Sequence, residues 1–212
     1  GIAAASCMQA AGGLDLMVKW AEKILRKNPH HITLLSPFVT YFFTFFAGTG
    51  HVAYSVLPVI AEVAKDTGIR PERPLGIAVI ASQQAITASP ISAATVAMLS
   101  MLAGYNISLF DILKISIPCT LAGVLLGALY SMKVGKELKD DPEYQRRLAA
   151  GEISGDGYHT TEVASHGKAL TSVILFLAAT IGIVLFGSID GLRPTFTTAQ
   201  GEVQMEMSHI IE

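Results

Sequence analysis

Two short stretches hold the residues whose types could do chemistry: Gly48-Thr49-Gly50-His51 and Thr87-Ala88-Ser89-Pro90-Ile91-Ser92, each set in otherwise apolar sequence. Glycine and proline interrupt helices, and an interrupted helix leaves main-chain N–H groups unpaired, with a positive dipole end where the next segment starts. The N–H groups of residues 49–52 and 89–92, joined by the hydroxyls of Thr49, Ser89 and Ser92, would make a neutral, donor-rich cradle for a carboxylate. The carbonyls before each break, near Ala47 and Thr87, have the opposite polarity and would suit a coupling cation. This is binding chemistry, without bond cleavage. His51 is the only ionisable side chain near either break. It reads either as a proton-carrying group or as a neutral histidine that hydrogen-bonds at a turn.

Long apolar runs must position both stretches. Leu75 to Ala103 is twenty-nine residues without a charge; as one helix it would reach about 43 Å, against a hydrocarbon core of about 30 Å. Pro90 disfavours helical geometry at Ser89, so the expectation is a helix to about Thr87, a break, and a half-helix with Ser89 as N-cap and Pro90 at its first position. The competing reading is a proline kink whose neighbours repair the backbone. Gln83 and Gln84 lie in the same run and face either the site or a neighbouring helix. Ile32 to Ala64 is thirty-three residues, interrupted by Gly48-Thr49-Gly50. Its arms, 32–47 and 51–64, fall short of the roughly 20 residues of a full span, which predicts a re-entrant helical hairpin with its tip inside the membrane. Two thin spans joined outside are the alternative.

Composition puts these runs in a lipid bilayer. Hydrophobic residues make up 51% of the chain and charged residues 15%, against about 25% charged in soluble domains, and mean hydropathy is +0.48. The expected fold class is all-α: a polytopic membrane protein with a re-entrant hairpin (32–64) and a broken transmembrane helix (75–103). A partial first helix covers 1–16 and an amphipathic interfacial helix 14–28, for which packing between spans is the alternative; Asn28-Pro29 ends it. A short outer helix holds Asp111 and Lys114, and a span over 115–132 completes a membrane region of 1–132. Then come a soluble cytoplasmic loop over 133–168, a transmembrane helix over 169–189, and an outer connection over 190–212. In the loop, Asp141-Pro142-Glu143 starts a surface helix and Gly151 ends it. In the tail, Val203, Met207, Ile210 and Ile211 recur as if another helix were beginning. Gly1 opens apolar sequence without a Met, so the chain reads as a piece of something longer.

Charge placement bears on the hairpin. Of fifteen Lys and Arg residues, thirteen fall in the connections 17–31, 65–74 and 133–168. A run that goes in and comes back gathers those connections on one side, the cytoplasm by the positive-inside rule. No basic run points to nucleic acid, the histidines show no metal-ligand spacing, and Cys7 and Cys119 read as small buried hydrophobes. No cofactor is implied. The chain lacks G-x-S-x-G, H-E-x-x-H and any acidic pair at depth, so an intramembrane hydrolase stands only as an alternative class.

The segments QAAGGLD (9–15), FAGTGH (46–51), LPVIAEVAK (57–65), RPERP (70–74), ASPISAA (88–94) and GLRPTF (191–196) resemble, in order, the anaerobic C4-dicarboxylate transporter family of bacteria. The resemblance implies a secondary transporter that exchanges fumarate, malate, succinate or aspartate across the inner membrane by alternating access. Members are about twice this long, so the chain would be most of the N-terminal half. A wider resemblance, to the ion-transporter superfamily, implies inverted repeats, each with a hairpin and a broken helix, and a homodimer. There the hairpin tip carries Ser-Asn-Thr, with a Leu-Pro further along; here Gly48-Thr49-Gly50 and Leu57-Pro58 stand in register. Glycine removes side-chain oxygens that would hold sodium, which leaves H+ and Na+ both open as the coupling ion. The alternative within transport is a cation-coupled carrier of another small organic or inorganic anion.

Overall fold

The computed structural model describes residues 7, 10–105, 107–135, 137–151, 166–188, 195–198 and 201–204. The helices are α1 (Gly13–Lys27), α2 (Ile32–Ala47), α3 (His51–Asp66), α4 (Glu72–Ala88), α5 (Ala93–Met101), α6 (Leu109–Ser131), α7 (Pro142–Ala149) and α8 (His166–Ser188). Thr195–Thr198 and Gly201–Gln204, β1 and β2, pair as a two-stranded antiparallel ribbon. Apart from that ribbon, all regular structure among the described residues is helical.

The α2/α3 hairpin forms because the Gly48-Thr49-Gly50 turn ends one helix and starts the next. Gly48 is left-handed at φ 68, and its N–H closes α2 on the Thr44 carbonyl at 2.8 Å. The most extensive helix–helix contact is α2 on α4. Small residues permit it: Ser36, Thr40 and Thr44 are buried on α2, and Ala78, Ala81, Ala85 and Ala88 on α4. Ser36 donates across the interface to the Pro74 carbonyl at 3.1 Å. Tyr41 and Thr120, hydroxyl to hydroxyl at 2.8 Å, tie α2 to α6.

Ionic contacts close one end of the bundle. Arg26, late in α1, donates to Glu22 at 2.9 Å and to Glu62 of α3 at 2.6 Å. Arg70 reaches Asp141 at 2.9 Å, and Arg73, at the start of α4, reaches Glu137 at 2.6 Å and the carbonyls of Val134 and Gly135 beyond α6. The basic connections of α1–α2, α3–α4 and α6–α7 therefore meet at one end.

Several expectations change. α1 buries Leu16, Met17, Ala21 and Leu25 in the main core with α3 and α8, so its apolar face belongs to packing between helices, while Ile24 is 44% exposed. The separate outer helix at Asp111 and Lys114 does not exist. A capping box between Ser108 and Asp111 starts α6 at Leu109, and the helix runs without interruption through Pro118 to Ser131. Cys7 and Cys119 are exposed; Cys119 lies on an outward face of α6. Val203 lies opposite Phe196 in the ribbon instead of opening a helix, as the β-branched and aromatic residues of Thr195-Phe196-Thr197-Thr198 favour. Met207, Ile210 and Ile211, most of 1–9 and all of 152–165 lie outside the described residues. Among those described, α6 is long and apolar enough to cross a membrane, and the apolar part of α8, Gly167–Gly182, is shorter.

Candidate functional site

The two interrupted stretches come together. A β-carbon built on Gly48 would stand 2.7 Å from Ile91 Cγ1 and 3.2 Å from the Ile91 carbonyl carbon, so the hairpin tip lies directly on the break between α4 and α5. Only glycine combines that approach with a φ of 68. Behind the tip, Ser89 Oγ donates to the Phe45 carbonyl of α2 at 2.6 Å.

The break is real but its cap is displaced. α4 continues to Ala88, Ser89 is extended at φ -74, ψ 130, and Pro90 and Ile91 form the turn. The N-cap of α5 is Ser92, whose side chain accepts the Thr95 N–H at 3.2 Å. Ser89 is not the N-cap of α5, and Pro90 is not its first helical residue. The Ser92-x-x-Thr95 spacing carries that signal, and Thr95 was absent from the site read from sequence. Its Oγ1 donates to the Ser89 carbonyl at 2.7 Å. Pro90 has no N–H, and the Ser89 and Ser92 N–H groups turn inward to the Ile86 and Ser89 carbonyls. The cradle at 89–92 is thus largely closed by its own bonds.

The hairpin tip is more open. No side chain caps the start of α3, and with the Ala53 N–H turned to the Gly50 carbonyl the His51 and Val52 N–H groups are left as donors with the helix dipole behind them. Thr49 and Gly50 are half-buried, and His51 is exposed, its ring 6.2 Å from that of Tyr54. A β-carbon on Gly50 would lie 3.4 Å from Gln83 Nε2, which sets the first turn of α3 against α4. Gln83, Gln84 and Thr87 share the exposed side of α4, one turn apart, and Thr87 Oγ1 turns back to the Gln83 carbonyl at 3.4 Å. Of the residues read as a site, Gly48, Thr49, Gly50 and His51 form the tip. Thr87 lies on the polar side of α4, and Ser89, Pro90 and Ser92 are buried behind it. Ala47, whose carbonyl was matched to a cation, is buried in the main core. Among the described residues no group of His, Cys, Asp and Glu could hold a metal ion.

The level of the tip follows from the helices beside it. α4 has 17 residues and α6 has 23, and both have one end at the ionic contacts. At 1.5 Å per residue α6 extends roughly 9 Å further. Consistently, Phe45 and Pro90 line one apolar cavity with Leu113 and Ile117, residues one and two turns inside α6.

The whole chain, residues 1–212, matches the family described as "Anaerobic c4-dicarboxylate membrane transporter". It is 50% identical over 190 residues to the C4-dicarboxylate transporter DcuA of Escherichia coli (strain K12), an alignment covering 89% of this chain and 43% of that one. DcuA of Wolinella succinogenes is 48% identical over 187 residues, with 88% and 43% covered. The anaerobic C4-dicarboxylate transporter DcuB of Escherichia coli O6:H1 is 39% identical over 204 residues, with 92% and 46% covered. The chain spans less than half the length of these curated relatives. No solved structure matches it.

Proposed function

Because the chain belongs to the anaerobic C4-dicarboxylate membrane transporter family, we propose that it forms the N-terminal part of a bacterial inner-membrane carrier that exchanges fumarate, malate, succinate or aspartate by alternating access. The observation that carries this reading is the seating of the hairpin tip on the helix break. It puts the uncapped start of α3, Thr49 and His51 beside the polar side of α4. One carboxylate would be held by the His51 and Val52 N–H groups at the start of α3 and the Thr49 hydroxyl, with the Gln83 amide alongside; these are neutral donors suited to a site shielded from water. Ser89, Pro90 and Ser92 belong to the frame behind it.

The helix lengths support a re-entrant hairpin. If α6 crosses the bilayer, a tip roughly 9 Å short of its far end lies within the hydrocarbon core, where irregular backbone persists only against protein or a watery cavity. The basic connections at the opposite end would face the cytoplasm. The rest of a carrier about twice as long would complete the multi-pass bundle and hold the second carboxylate. A homodimer and coupling to H+ or Na+ belong to the same proposal, with the Ala47 and Thr87 carbonyls as the place for a cation.

Proteoliposomes containing the full-length carrier test this. Labelled fumarate outside should enter vesicles loaded with succinate and stay out of empty ones. Entry into empty vesicles that requires a sodium gradient would favour a cation-coupled carrier instead, and no entry under either condition would sink the transport reading. If His51 carries a coupling proton, His51→Gln should flatten the pH dependence of transport between about pH 5 and 8. An unchanged profile in an active variant would leave His51 as a hydrogen-bonding turn residue.

A further inference from the structure

Proton accounting separates Ser89 from any ligand. A serine or threonine hydroxyl has one proton to give. That of Ser89 goes to the Phe45 carbonyl at 2.6 Å, and that of Thr95 to the Ser89 carbonyl at 2.7 Å. Ser92 Oγ and Thr95 Oγ1 are 3.0 Å apart, and since the Thr95 proton is used, Ser92 is the donor. Ser89 and Ser92 are fully buried and Thr95 nearly so. None of the three has a proton left for a substrate.

The acceptor gives the arrangement its meaning. Phe45 lies in the last turn of α2, where carbonyls have no partner within the helix, so Ser89 caps the first hairpin arm from another element, forty-four positions along the chain. Thr95, in the first turn of α5, braces Ser89 from the other side. The bonds run from α5 through the break to the hairpin, beside the contact of Gly48 with Ile91.

We infer that Ser89 is a positioning residue, which with Thr95 locks the hairpin tip and the broken helix into one unit that keeps its geometry while the carrier alternates. The inference rests on the proposed site at the tip. Losing the Ser89 hydroxyl leaves the Phe45 carbonyl unpaired, and losing the Thr95 hydroxyl leaves the Ser89 carbonyl with only the longer 3.4 Å bond from the Ser92 N–H; either change lets the tip shift against α4, with no donor to the substrate removed.

Substrate affinity in the full-length carrier tests it through a double-mutant cycle. Ser89→Ala and Thr95→Val should each weaken succinate binding, measured as KM and by direct titration, by about tenfold, as expected when a buried carbonyl loses its partner. Because both act through one chain of bonds, the double variant should be no more than about threefold worse than the poorer single variant. Ser89→Thr, which keeps the hydroxyl and suits extended backbone, should restore most of the affinity. Amide exchange in the tip, residues 45–52, should quicken in Thr95→Val although Thr95 lies on another helix. Effects that multiply to about a hundredfold would overturn the inference, as would wild-type affinity in Ser89→Ala or unchanged tip exchange in Thr95→Val. Should a single variant not accumulate, Ser89→Thr and its exchange profile still decide, since a ligand hydroxyl moved by the added methyl would lose affinity without loosening the tip. Absence of dicarboxylate exchange by the wild type is a different failure, and it falls on the transport reading.

Discussion

The two ends of the α2–α3–α4 assembly are fastened by different chemistry. At the end where the basic connections meet, Arg26, Arg70 and Arg73 fasten neighbouring elements through carboxylates and carbonyls. At the tip the fastening is neutral: a serine hydroxyl on one carbonyl, a threonine hydroxyl on another, and isoleucine seated on glycine. The difference fits the proposed re-entrant hairpin, because an ion pair is affordable where water reaches one partner, whereas a charge taken into hydrocarbon would cost several kcal/mol even when paired. A neutral tip also leaves its N–H groups without a competing fixed anion. In the proposed carrier, the tip is open to an anion because nothing charged fastens it.

Disturbing the tip should have the largest effect. Gly48→Ala combines a left-handed residue, costing about 1–2 kcal/mol, with overpacking against Ile91, costing about 1–3 kcal/mol. We expect a loss of about 3 kcal/mol, read as a lower denaturation midpoint of the purified carrier, together with lost transport. Full stability in this variant would mean that the tip does not sit on the break.

Disturbing the charged end should come next. The Arg73 side chain is 9% exposed and holds Glu137 and the Gly135 carbonyl, while the Glu137 side chain is 41% exposed. Arg73→Met keeps the apolar stem and removes the donors, and should lower stability by about 2 kcal/mol. In about 1 M salt the difference from wild type should narrow in part, since screening weakens the pair and spares the carbonyl contacts. A Gly48→Ala loss that is equally salt-sensitive would erase the contrast between the two ends.

A third change separates fastening from binding at the tip itself. Thr49→Ala removes the hydroxyl of a half-buried residue at the hairpin tip that is no part of the Ser89–Thr95 chain. Succinate affinity should fall about tenfold, with stability unchanged. Ser131→Ala, at the end of α6 near the ionic contacts, should leave affinity alone. Wild-type affinity in Thr49→Ala would move the carboxylate away from the hairpin tip.

How much of this was legible in the sequence depends on whether a residue acts locally. The arms expected over 32–47 and 51–64 appear as Ile32–Ala47 and His51–Asp66, because a Gly-Thr-Gly turn acts through its own backbone. The break before α5 was legible from Pro90 for the same reason. The role of Ser89 was not, since its partner is the Phe45 carbonyl on another helix, and with Ser89 engaged there the cap passed to Ser92. Asp111 and Lys114 looked like a separate outer helix because charge suggested an end. The Ser108–Asp111 capping box instead made Asp111 the first turn of α6. Cys119 shows the same limit from the other side, as an apolar neighbourhood in sequence does not say which face of a helix is outward.

The smallest expected effect lies at the edge of the charged end, on α7. Glu143 accepts from Arg146 at 2.8 Å and from Arg147 at 2.8 Å, and these hydrogen bonds hold its carboxyl down at about 2, below its ordinary 4.5. A carboxylate depressed in the folded state adds stability that is fully present above the unfolded value and is lost as pH falls through the folded one. The window is therefore from about 4.5 down to about 2, and acid weakens the helix. All three side chains are more than half exposed, so solvent and salt screen the effect and confine it to α7. Amide protection over Gln145–Ala150, corrected for intrinsic exchange, should fall across that window in wild type and stay nearly flat in Glu143→Gln. Residues 45–52, fastened by hydroxyl and carbonyl, should hold their protection over the same range. Equal loss at both places would mean that acid unfolds the assembly as a whole, and that the two chemistries of fastening do not divide it into separately responding ends.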